Sequence, residues 1–100
     1  MINRLCSFQI GDGDIDHAYW TRPEDMTMPR PAFYIDVELP GSDLAGETAA
    51  AMAATAIALS NFGEDALASD LLSHARDVFE FGDLYRGFYH DHMPSESYYR

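Results

Sequence analysis

The chain is 100 residues long, 47% hydrophobic and 23% charged, which fits one small domain or a piece of a larger one and excludes intrinsic disorder. Its charge is one-sided, with seventeen carboxylates against six arginines and no lysine for a net charge of -11. Such a balance repels phosphate and excludes nucleic acid and anionic membrane surfaces as partners, while the single cysteine, Cys6, excludes an internal disulfide.

From the N-terminus, the first ten residues carry one arginine and no sustained apolar run, so no secretory leader is expected there. No stretch of the chain approaches the apolar length needed to span a bilayer. Residues 1–41 read as a long loop region. Gly11, Gly13, Pro23, Pro29, Pro31, Pro40 and Gly41 punctuate it, and each X-Pro step pushes the preceding residue out of helix. Within it, Ala32–Val37 is apolar and aromatic enough for a brief strand or an extended segment.

The stretch GDGDIDHAYWTRPEDM, Gly11–Met26, concentrates five carboxylates, a histidine, two aromatics and an arginine. Its opening, Asp12-Gly13-Asp14-Ile15-Asp16, has the rhythm of an EF-hand calcium loop. That loop needs glycine at its sixth position and a bidentate glutamate at its twelfth. His17 and Pro23 stand there instead, and Glu24 comes one residue late, so the calcium reading is set aside. His17 and Trp20 pair a hydrogen-bonding ring with a flat indole three residues on. Pyranose rings need that combination, because their C–H faces lie on an aromatic plane and their hydroxyls seek directional partners. The plainer alternative is Trp20 in a core with His17 partly exposed. Asp12, Asp14, Asp16, Glu24 and Asp25 could include a general acid and base, but a crowd of surface acids is more often a solvated rim. Arg22 is expected to brace the loop by pairing with Glu24 or Asp25.

After Pro40-Gly41, Ser42 or Asp43 offers an N-cap oxygen for a helix over about 43–61. Its sequence, LAGETAAAMAATAIALSNF, is built from strong helix formers and is apolar nearly all round, the mark of a buried helix whose small side chains allow close packing. Asn61-Phe62-Gly63 is the stop. A second helix follows over about 64–84, with Leu67, Leu71, Ala75, Val78, Phe79 and Gly82 as a one-sided apolar stripe and acids on the other face. Glu64 and Asp65 suit the positive end of its dipole. The two make an αα-hairpin with one inner and one outer helix. A helix apolar all round needs more cover than one amphipathic partner supplies, so the chain is expected to oligomerise or to belong to a larger helical assembly.

The tail, YRGFYHDHMPSESYYR, is aromatic and loop-like. His90-Asp91-His92 has the look of a metal pair, yet zinc sites need three or four ligands and the cysteine is remote in sequence, so a polar turn is the better reading. Tyr98-Tyr99 could be a second stacking platform or simple packing residues. No Ser-His-Asp arrangement and no glycine-rich phosphate loop is present.

Taken together and in order, His-x-x-Trp, Arg-Pro-Glu-Asp-Met and Gly-Ser-Asp-Leu-Ala-Gly-Glu-Thr-Ala make the chain resemble glycoside hydrolase family 9, the endo-β-1,4-glucanases, from about Gln9 to Tyr99. The resemblance implies an all-α fold, part of an (α/α)6 barrel. The helices at 43–61 and 64–84 become inner and outer members, residues 1–41 a cleft loop region and residues 85–100 an aromatic loop, all one fragment of a single catalytic domain. It also implies inverting hydrolysis by two carboxylates roughly 6.5–9.5 Å apart. The family's Asp-Ala-Gly-Asp motif and distant C-terminal glutamate are not in these residues, so no catalytic residue is assigned and the 100 residues alone are expected to be inactive. By the same resemblance His17, Trp20, Tyr98 and Tyr99 are substrate-binding and the partners are a β-1,4-glucan and the remainder of the barrel. No cofactor is expected in this chain, calcium belonging to the full-length parent, which would be secreted. The alternatives are a non-catalytic carbohydrate-binding module and a helical interaction module.

Overall fold

Arg4–Ile10 forms strand β1 and Ala32–Asp36 forms strand β2; they pair antiparallel, Ile10 opposite Ala32 and Cys6 opposite Ile35. The structure, a computed structural model, describes residues 4–92, with side chains from Gln9 onward. Residues 1–41 are therefore not the continuous loop expected from their glycines and prolines. Cys6, Phe8 and Ile10 alternate with Ser7 and Gln9, a period-2 pattern, and the breakers fall between the strands and after them. The register slips between Arg4 and Cys6 and again between Ser7 and Gln9, as bulges make it do. Asp36 ends β2. Its Oδ1 accepts from the amides of Glu38 and Leu39 at 2.9 and 2.8 Å, an Asx turn that hands the chain to Pro40-Gly41.

Two short elements lie between the strands: helix α1, Gly13–Ala18, and a 3-10 turn at Pro23–Asp25. The long helices α2, Ser42–Asn61, and α3, Asp65–Leu84, match the expected hairpin. The N-cap does not match. It is Gly41, without a side-chain cap, because the expected capping oxygens are used elsewhere. Ser42 Oγ donates to the Gly87 carbonyl at 3.0 Å and accepts from the Gly87 amide at 3.1 Å, while Asp43 Oδ1 accepts from the Tyr89 amide at 3.2 Å. Both side chains bind the segment leaving α3 to the start of α2. At the far end, the Gly63 amide donates to Ser60 and the Glu64 amide to Leu59, each at 3.0 Å. With Gly63 at φ 82°, this is a Schellman stop.

The core is Ile35 from β2, Ala45 and Ala49 from α2, and Val78 and Phe81 from α3. Gly82 brings the helices close: a Cβ there would lie 3.0 Å from that of Ala45. Of the expected stripe on α3, Ala75, Val78 and Gly82 are buried as read, and the other places differ. Ala68 and Phe81 point inward, while Leu67 and Phe79 are 54% and 64% exposed, each one residue, or about 100°, around from the buried line. On α2 only Ala45, Ala49 and Ala56 are buried. Ala50, Ala51, Ala54, Ile57 and Ala58 are exposed, against the expectation of burial all round, because α3 is its one long helical neighbour in this chain. Among the described residues no helix is long and apolar enough to cross a membrane.

Candidate functional site

The acidic stretch resolves into separate jobs. Asp12 is the N-cap of α1, its Oδ1 accepting from the amides of Asp14 and Ile15 at 2.9 and 3.3 Å, so the residue that opens the calcium-like rhythm is a helix cap. Asp14 and Asp16 lie in the first turn, where the helix dipole favours negative charge. Asp16 also pairs with Arg30 at 3.0 Å.

His17 occupies the last turn of α1, its Nδ1 2.6 Å from the Gly13 carbonyl. A carbonyl only accepts, so Nδ1 is the donor in this contact. Tyr19 caps the helix in an extended conformation, and this turns the chain so that Trp20 leaves the surface altogether, 103% exposed. His17 and Trp20 do not share one helical turn, since Trp20 lies beyond the helix end.

Trp20 lines an open hollow of about 550 Å³ together with Tyr19, Thr21, Arg22 and Asp25. Arg22 braces this wall as expected, and its partner is Asp25, with Nη2 and Nε each 2.8 Å from Oδ2. The 3-10 turn selects Asp25 over Glu24: its amide donates to the Arg22 carbonyl at 3.0 Å, and residues three apart eclipse in such a turn. The wall therefore carries a flat apolar face, a guanidinium and a carboxylate side by side. Full burial of an indole covers about 200 Å², and shielding one face of it is worth on the order of 2 kcal/mol. Because Trp20 is wholly outside, none of that free energy is spent among the described residues.

His17 is not among the residues lining the hollow. Tyr19 and Thr21 are, and neither was assigned from sequence; the available signal was contiguity with Trp20 in a chain that leaves the helix extended. Tyr98 and Tyr99 lie outside the described residues. His90 stands in a 3-10 turn over Tyr89–Asp91, its Nε2 3.3 Å from Asp91 Oδ1 and its ring stacked on Phe88 at 5.4 Å. Among the described residues no group of three or more His, Cys, Asp or Glu side chains is placed to hold a metal ion.

The model of glycosyl hydrolase family 9 matches residues 2–100. The chain belongs to glycosyl hydrolase family 9. Arabidopsis thaliana endoglucanase 15 is 54% identical over 87 residues, which cover 87% of this chain and 18% of that protein. Endoglucanase 5 of Oryza sativa subsp. japonica is 50% identical over 99 residues, 92% of this chain and 18% of its own length. The endoglucanase of the termite Nasutitermes takasagoensis superimposes with a TM-score of 0.84 at 53% identity, covering 90% of this chain and 21% of the termite chain. The catalytic domain of Clostridium thermocellum CelT follows at 0.82 and 31% identity, over 95% and 22%. The family 9 chain thus spans about a fifth of the relatives it matches. Its hairpin is part of an (α/α)6 barrel, α2 in the inner layer and α3 in the outer.

Proposed function

We propose that this family 9 chain is a sugar-gripping segment of an endo-β-1,4-glucanase, its Gly11–Asp25 wall holding glucosyl units on the glycone side while the cutting carboxylates lie outside these residues. The observation that carries this is Trp20, an indole left without cover among the described residues beside the Arg22–Asp25 pair. A β-linked glucose polymer matches such a surface, because its rings present flat C–H faces and its equatorial hydroxyls donate and accept at the edges. His17, in the last turn of α1, adds a polar ring three residues before the indole, and Tyr98 and Tyr99 belong to the same cleft in this reading. The uncovered flank of α2 is the side on which further barrel helices would sit, and the parent would be a secreted enzyme with calcium bound outside this chain.

Trp20 is the only tryptophan, so fluorescence reports on the site alone. Cellotetraose is expected to change its emission saturably, and His17→Ala is expected to weaken that binding, whereas an unaltered spectrum in millimolar sugar refutes the assignment. In Trp20→Ala, calorimetry should show binding reduced at least tenfold. The purified chain is expected not to hydrolyse carboxymethylcellulose; reducing ends released by a preparation free of other cellulases would place an acid and a base within these residues.

A further inference from the structure

We propose that Arg30 is the positioning residue of the sugar-binding wall, holding α1 and therefore His17 and Trp20 in place by gripping Asp16 and the end of β1; the proposal rests on the function given above. Helix α1 has six residues and buries none of them, and a helix so short has little stability of its own. A polar clasp ties it to the sheet. From fourteen residues away, Arg30 Nη2 donates to Asp16 Oδ2 at 3.0 Å and Nε donates to Oδ1 at 3.4 Å, a two-pronged grip on the carboxylate. The same Nη2 donates to the Ile10 carbonyl at 3.2 Å, so one guanidinium spans the last residue of β1 and the middle of α1.

The backbone is shaped around this clasp. Gly11 has φ 100°, and a Cβ there would stand 2.6 Å from Asp16 Oδ2 and 2.8 Å from Arg30 Nη2. A Cβ would push the ends of these two side chains apart, and only glycine adopts that φ without strain. The Gly11 amide donates to the Pro31 carbonyl at 2.7 Å. Arg30 is flanked by Pro29 and Pro31, whose fixed φ angles stiffen the segment that presents it. Half-exposed ion pairs add little to global stability, so this one does not hold the fold; what it can hold is a six-residue helix that buries none of its own residues. Lysine cannot replace it, since an ammonium is a point donor that cannot span two oxygens and a carbonyl in fixed geometry.

The test uses the full chain with Arg30→Ala, Arg30→Lys and Gly11→Ala. Amide exchange over Gly13–Ala18, the fluorescence anisotropy of Trp20 and the thermal melt are read on each. In Arg30→Ala, α1 protection is expected to fall about fivefold or more, Trp20 anisotropy to drop, and the melt of α2 and α3 to stay put. Gly11→Ala should loosen α1 in the same way, and Arg30→Lys should restore only part of the ordering. Cellotetraose affinity should fall in step, and Arg30→Ala should cost less in a Trp20→Ala background than in the wild type, because part of its effect acts through Trp20. Unchanged protection and anisotropy in Arg30→Ala, or full rescue by lysine, overturns the proposal, as does a wild-type chain whose α1 amides are already unprotected. Loosening of α1 in Arg30→Ala together with no cellotetraose affinity in the wild type sinks the sugar function and leaves Arg30 as the residue that orders α1.

Discussion

The hairpin and the wall ahead of it are held by opposite means. Helices α2 and α3 meet through Ala45, Ala49, Val78 and Phe81 with a glycine at the closest approach, contacts that are non-directional and sum over area. The Gly11–Asp25 wall buries almost no side chain and is fixed by a cap, an arginine clasp and an Arg-Asp brace. The first arrangement yields stability. The second yields precision at low stability, and it leaves the apolar face of Trp20 free.

That division can be broken most forcefully at Phe81. Phe81→Ala should cost about 3–5 kcal/mol, a large share of what a small domain possesses, and melt the hairpin in circular dichroism. Ser42→Ala comes next, at about 1–3 kcal/mol for two lost hydrogen bonds to Gly87. Its denaturation midpoint should fall, with exchange accelerating first after Leu84, where the segment is released from α2. Trp20→Ala should sit at the other extreme and change stability by no more than about 0.5 kcal/mol while removing sugar binding. A Trp20→Ala midpoint lowered as far as that of Phe81→Ala would erase the contrast.

The smallest effect is a proton on the exposed face of α3. His74 has its pKa raised, first by the hydrogen bond of Nδ1 to the Asp70 carbonyl at 2.9 Å and then by the Asp70 carboxylate at 3.7 Å, with a further push from Asp77 and desolvation opposing. The folded chain binds this proton more tightly than the unfolded one. The contribution to stability is therefore complete below the unfolded pKa and lost as pH rises through the folded value. An NMR titration of the ring should give a midpoint above the ordinary one, and Asp70→Asn should return it part of the way, the carbonyl bond remaining.

Much of the hairpin was legible because helix periodicity and capping are local. Alanine spacing and the Asn61-Phe62-Gly63 stop placed both helices within a residue or so, and the motifs shared with family 9 supplied the barrel. Two kinds of detail escaped. Ala75, Val78 and Gly82 were read correctly, but Leu67 and Phe79 look as buriable as Ala68 and Phe81 until the partner helix is known to be alanine-rich. Strand β1 was hidden because a seven-residue strand is defined by a partner over twenty residues away. In the wall, Arg22 and Asp25 could be paired from sequence, being three apart, but Arg30 could not be matched to Asp16 across fourteen residues. Ser42 and Asp43 were read as caps because they stand where caps stand, and only the path of the chain after Leu84 gives their oxygens another use.

Ile35 is fully enclosed, the one large side chain of which that is true among the described residues, and it comes from the sheet while its neighbours come from the helices. A protease cutting the exposed stretch Thr21–Asp25 would therefore nick the chain without dividing it. The β2 half would stay plugged into the helices and the β1 half would stay zipped to β2, so the two fragments would travel together through a sizing column and part only in denaturant.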